Sequence, residues 1–302
     1  MQTIYASEIG GEQDLVFAEK MLQENVDRTI EINLVYLLYF VEIARYVFIY
    51  ADMQKSKYLL TEEEKNINTN IGKSTIVNYI HDNPIFNKIV KKYRTHQHLD
   101  ESIVKDYFFK LLESAEYKKY TSIAEPTIDD DKEVFQYIIK KIFGKEEDLI
   151  NHLESYFINV YDDTELICFS LKRSIKNFNL NNKTNFELGF DDWEEEREYA
   201  FDLLRLTINK SQEYDKIIEP KLKGWETERI AKTDLIILKM AIGEMLNFPT
   251  IPLKVTMNEY IDLCKMYSPP KSKEFVNGVL DRLMKEFTAE NKILKSGRGL
   301  QD

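Results

Sequence analysis

From residue 252 the chain reads PLKVTMNEYIDLCK, breaks at Ser268-Pro269-Pro270, and resumes with a stretch carrying FVNGVLD at 275–281. Apolar residues recur three and four apart on both sides of the break: Tyr260, Leu263, Cys264 and Tyr267 before it, Phe275, Val279, Leu283 and Phe287 after it. That period is the one-face signature of amphipathic helices. A proline pair cannot continue a helix, so two helices must fold back on one another across a short loop. Thr256 with Glu259 reads as a capping box for the first helix, and Ser272 as the cap of the second. Gly278 inside a helix costs about 1 kcal/mol relative to Ala, and the expected reason is the close approach of another helix. The segment holds no nucleophile beside a base, no metal-ligand cluster and no phosphate loop. It points to a binding protein rather than an enzyme.

The same helical spacing continues upstream. Phe201, Leu204 and Ile208 make one stripe. Tyr214, Ile218 and Leu222 make a second. Ile230, Ile237, Ala241 and Met245 make a third, stopped before Pro249 and Pro252. Five helices joined by short loops form a bundle. With only 10 Gly and 7 Pro in 302 residues, the expected fold class is all-α throughout. Three stretches are expected: N-terminal helices over 1–60, a helical middle region with an Asn-rich linker over 61–192, and a C-terminal helical domain with a basic tail over 193–302. SAEYKKY at 114–120 echoes SQEYDKI at 211–217, either by chance between similar amphipathic helices or as a decayed helical-hairpin repeat.

INLVYLLYFVEIARYVFIYA at 32–51 has the length of a membrane span, yet Glu42 and Arg45 lie within it. A buried core helix is the better reading, with no membrane partner, no signal peptide and a cytoplasmic location. Cys168 and Cys264 sit in separate apolar patterns and read as reduced, buried thiols. His81, His96, His98 and His152 show no ligand spacing with Cys. No metal or cofactor is expected. The net charge of −11 argues at first sight against nucleic acid. The acidity is uneven, however. Residues 193–302 hold 18 Lys+Arg and 19 Asp+Glu, against 23 and 33 in the rest, and from Lys254 onward the balance is slightly basic.

WETERIAKTDLIILKMAIGEM at 225–245, PLKVTMNEYIDLCK at 252–265 and SKEFVNGVLD at 272–281 together resemble the NusB family of bacterial transcription antitermination factors. The resemblance is tight over about 195–288. The added helical middle and the GRGL tail at 297–300 resemble the long form found in Bacteroidetes-type bacteria. The resemblance implies an all-helical NusB-like bundle enlarged by a middle region. It implies binding of boxA-type single-stranded RNA together with the small-subunit ribosomal protein NusE. It also implies action in the RNA polymerase antitermination complex at ribosomal RNA operons. MQTIYA resembles the middle of the family's first helix, whose Arg-rich opening turn is absent here. That motivates an alternative: a protein–protein adaptor of this fold that has lost RNA binding. A NusB-like domain also occurs fused to RNA cytosine methyltransferases, but this chain carries neither a glycine-rich cofactor segment nor a catalytic Cys-Pro pair.

The resemblance places RNA contacts at Tyr5 and around the Pro-Pro loop, at Tyr267, Lys271, Ser272, Lys273 and Asn277. Aromatic rings can stack on unpaired bases, and a helix start offers free amides to phosphate. Each has a plainer reading as core ring, cap or solvated lysine. Asp234 lies on the apolar stripe between Ile230 and Ile237. A bare buried carboxylate is costly, so Asp234 either pairs internally or meets a partner. The resemblance places NusE around this helix, which makes Asp234 and, one turn earlier, Glu228 candidates for partner contact; Glu244 borders the same face, with an ion pair to a lysine as its plainer reading.

Overall fold

The computed structural model describes residues 1–10, 14–56, 67–180, 193–222 and 230–300. Among them every regular element is helical, so the all-α expectation holds. The chain divides into two compact units, one formed by Met1–Glu24 with Glu194–Asp302, the other by Asn25–Trp193. This departs from the 1–60, 61–192 and 193–302 partition. The reason is α2, Leu15–Lys55: its Leu34–Phe40 stretch is wholly buried, while its start belongs with the C-terminal helices.

The Asn25–Trp193 unit is built on the apolar part of α2. Its best membrane-length window is 72% buried, so the stretch is a core helix. Tyr36 meets Phe143 edge-on at 5.2 Å and Phe40 meets Phe135 at 4.8 Å. Around it lie α3 (Thr75–His81), α4 (Pro84–Tyr93), α5 (Glu101–Glu113), α6 (Ala115–Thr121), α7 (Ile128–Tyr137), α8 (Glu147–Glu154) and α9 (Val160–Asn177). Their starts follow local chemistry. Ser74, Asn83, Asp100 and Ser114 accept first-turn amides, and Thr127 with Asp130 forms a complete capping box.

In the other unit, α1 (Gln2–Gly10) joins α10 (Trp193–Asn209), α11 (Ser211–Ile218), α12 (Lys232–Asn247), α13 (Leu253–Tyr267) and α14 (Ser272–Ala289). α12 is the central element. It packs on α1, α11, α13 and α14, and every residue from Ile236 to Met245 is buried. α13 begins at Leu253, straight after Pro252, whose fixed φ of −60° sets the turn into the helix. The expected Thr256–Glu259 capping box is therefore absent. Thr256 is fully buried inside the helix. The two echo segments both form short helices, α6 and α11, each burying its tyrosine (Tyr117, Tyr214).

Candidate nucleic-acid interface

The Pro-Pro loop joins α13 to α14 at the start of α12, and buried polar side chains lock the three helix ends together. Ser268 leaves α13 in an extended conformation, its amide still bonded to the Cys264 carbonyl. Its hydroxyl lies 3.1 Å from that of Thr233, in the first turn of α12. The Ser272 amide donates to the Pro269 carbonyl at 2.8 Å. The Ser272 hydroxyl donates to Asp234 Oδ2 at 2.7 Å. Ser272 thus does not cap α14: Lys271 precedes the helix, without a side-chain cap. Asp234 is 2% exposed. Its charge sits in the first turn of α12, where the helix dipole favours it, and burial together with that charge pushes the Cys264 thiol up. The other oxygen, Oδ1, has no hydrogen-bond partner.

This lock fixes what projects outward. Lys271, Lys273 and Asn277 are exposed, and Tyr267 is partly buried. Pro269, Pro270 and Glu274 share that surface. Tyr5 is exposed on α1. Of the six expected RNA contacts, five retain solvent-accessible surface, and Ser272 is spent on Asp234.

The expected partner residues fare differently. Glu244 is 3% exposed; its Oε2 accepts from the Tyr260 phenol at 3.0 Å and from the Tyr199 phenol. Burial, and then the Glu244 charge, hold the Tyr199 phenol far above its ordinary range, so it stays a donor. Asp234 and Glu244 are thus internal carboxylates, because α12 is enclosed on all sides. They take the internal-pair reading, with hydroxyls as partners rather than lysine. Glu228 lies outside the described residues.

Sequence reasoning missed Lys239, a buried cation on the same helix. Its ammonium reaches Ser211 Oγ at 2.8 Å, Asp215 at 3.0 Å and Glu8 at 3.7 Å, tying α1 and α11 to α12. The available signal was a single Lys within the run Leu235–Ile242, all of whose other members are apolar. One further expectation changes, and the tail finds a place. A Cβ at Gly278 would meet nothing within 4 Å, so no helix approaches it closely. The GRGL tail is docked: Ser296 donates to the Pro249 carbonyl at 2.9 Å and Lys295 to that of Phe248 at 2.9 Å. A Cβ on Gly299 would fall 2.0 Å from the Pro249 carbonyl oxygen, which leaves glycine as the residue that fits.

Comparison with known proteins covers α10–α14 and reaches back into α9 of the Asn25–Trp193 unit. The NusB family model matches residues 167–285. A Koribacter versatilis protein is 40% identical over 99 residues, covering 33% of this chain and 68% of its own length. The chain belongs to the NusB family. A Salinibacter ruber relative is 41% identical over 104 residues, and a Listeria monocytogenes relative 36% over 93. All three are named transcription antitermination protein NusB. The NusB match covers about a third of this chain, and 65% of the length of the Salinibacter protein. No solved structure matches the chain.

Proposed function

We propose that this NusB-family chain is a transcription antitermination factor that binds boxA-type single-stranded RNA together with the ribosomal protein NusE, within the RNA polymerase antitermination complex. The observation that carries the RNA reading is the set of exposed groups at the start of α14: Lys271, Lys273 and Asn277 beside Tyr267, held in place by the buried Ser272–Asp234 bond. Lysines supply phosphate contacts, and phosphate contacts supply much of the affinity in such complexes. The family membership carries the antitermination reading. Asp234 and Glu244 are engaged inside the fold and offer a NusE partner no free carboxylate.

The test is boxA RNA binding by the full chain, with and without NusE, across a salt series. Lys271→Ala and Lys273→Ala should each weaken binding. Each should also lower the slope of log affinity against log salt by about 0.7, the value per phosphate for single strands. Folding stability should change by less than about 0.5 kcal/mol, as for ordinary surface substitutions. Wild-type affinity and slope in the double variant would remove this surface from the interface. Absence of RNA binding even with NusE present would favour the adaptor reading.

A further inference from the structure

α9 carries two faces. Val160, Thr164, Ile167, Leu171 and Ile175 are buried. On the opposite side Asp162, Glu165, Phe169, Arg173 and Lys176 are all exposed. Exposed Ile158 precedes the helix and exposed Leu180 follows it. Counted from Phe169, this outer series is symmetric in position: Glu165 and Arg173 stand four residues to either side, Asp162 and Lys176 seven, Ile158 and Leu180 eleven. These pairs are antisymmetric in charge, acids before the centre and bases after it, while at the margins exposed Leu166 falls opposite Lys172 and Tyr161 opposite Asn177.

A solvated helix has no need of this order. The helix dipole rewards acids in the first turn and bases in the last, which accounts for Asp162 and Lys176. Glu165 and Arg173 lie inside those turns. The dipole also says nothing of Phe169, 66% exposed at the centre, or of the exposed Tyr161 and Leu166 on the same helix. Among the described residues, Glu165, Arg173 and Lys176 form no ion pair within the chain.

We infer that α9 is a self-association surface on which a second copy of this chain docks, the two helices antiparallel about a twofold axis through Phe169. Such an axis places Phe169 against its own copy, Glu165 against the second copy's Arg173, and Asp162 against its Lys176. An isologous contact requires such self-complementarity, and antiparallel helices also oppose their dipoles favourably. The helix, 18 residues long, gives a contact line of about 27 Å. One helix pair buries less than the ~1,200 Å² of a stable interface, so the dimer is a weak, reversible one.

Sedimentation of the full chain over a concentration series into the hundreds of micromolar tests this. The expected result is a monomer–dimer equilibrium that weakens with salt. Glu165→Lys and Arg173→Glu each set like charges face to face, twice per dimer, and should raise the dissociation constant by about a hundredfold or more. The double variant E165K/R173E re-forms the pairs with signs exchanged and should restore association. All the altered groups are exposed, and circular dichroism checks that each variant folds. A strictly monomeric chain at every concentration overturns the inference, as does a dimer that neither single variant weakens.

Discussion

In the unit of Met1–Glu24 and Glu194–Asp302, the central helix α12 carries three charged side chains inside, Asp234, Lys239 and Glu244, each held by named partners. In the Asn25–Trp193 unit, the central stretch of α2 from Ile32 to Val41 buries tyrosine, phenylalanine and aliphatic side chains, with Asn33 as its one amide. Its polar bonds are made by ring tips. The Tyr39 phenol donates to the His98 carbonyl at 3.1 Å and accepts from the Asp100 amide at 2.8 Å. On α5, the Tyr107 phenol accepts from the Leu149 amide at 3.0 Å. The difference separates two ways of positioning a surface. Buried ions fix which helix ends meet, as they do under Lys271 and Lys273. Aromatic packing encloses the middle of α2 without buried ions, while α9 packs by an aliphatic face alone and leaves its outer face exposed.

The sharpest way to break this contrast is to remove an internal charge. Glu244→Ala leaves the buried Tyr260 phenol and the half-buried Tyr199 phenol without their acceptor, and should cost on the order of 3 kcal/mol from the unsatisfied hydroxyls and the cavity. Glu244→Gln keeps an acceptor oxygen and should cost clearly less. Denaturant midpoints measure both. Equal losses would mean that volume, not the hydrogen bonds, holds α12.

Next in size is overpacking in the aromatic unit. A Cβ at Gly72 would lie 2.7 Å from the Phe48 ring and 2.9 Å from Val47. Gly72→Ala should therefore destabilise by about 1–3 kcal/mol. A loss below that range would show that Phe48 has room to turn aside.

The helical stripes of the C-terminal unit were legible because burial there follows the 3.6-residue period: Tyr260, Cys264, Phe275, Val279, Leu283 and Phe287 are all core. The internal carboxylates were legible as anomalies but not as to partner. Asp234 and Ser272 are 38 positions apart, and helical spacing along one element carries no information about which end of another it meets. The partners of Lys239 were invisible for the same reason, since they come from α1 and α11. Gly278 was misread because a glycine inside a helix looks alike whether a neighbour approaches or open space surrounds it. The capping box was misread because Pro252 starts α13 earlier than Thr256 can.

The aromatic unit also holds a pH-sensitive group. His98 is buried against Tyr156 and Phe157, with Glu31 3.5 Å from Nε2. It lines a cavity of about 620 Å³ that also exposes Arg28 and Glu154. Burial, and then the charge of His152, hold its pKa below the ordinary value. An unfolded histidine titrates near 6.5. As pH falls below that value the unfolded chain takes up the proton first, so the stability present above about 6.5 is lost towards the lower folded value. Glu31 is shifted the other way, upward by burial. It holds its proton to a higher pH when folded, which opposes the loss only where it titrates. His98→Gln should flatten the decline in thermal midpoint between neutral and mildly acidic pH. An unchanged decline would assign it to other groups.

The smallest effect has the opposite sign. Gly278 lies inside α14 with nothing within 4 Å of the position an added methyl would take, and its backbone is ordinary helix. Gly278→Ala removes the unfolded chain's extra freedom without a steric cost. It should stabilise by up to about 1 kcal/mol, while Gly72→Ala destabilises the other unit. RNA affinity should not move, because Gly278 presents no side chain to a ligand. A destabilised Gly278→Ala variant would restore the close helix approach that the sequence suggested. A stabilised variant with weakened RNA binding would instead place the backbone at Gly278 against the RNA, extending the interface beyond the first turn that Lys273 and Asn277 define.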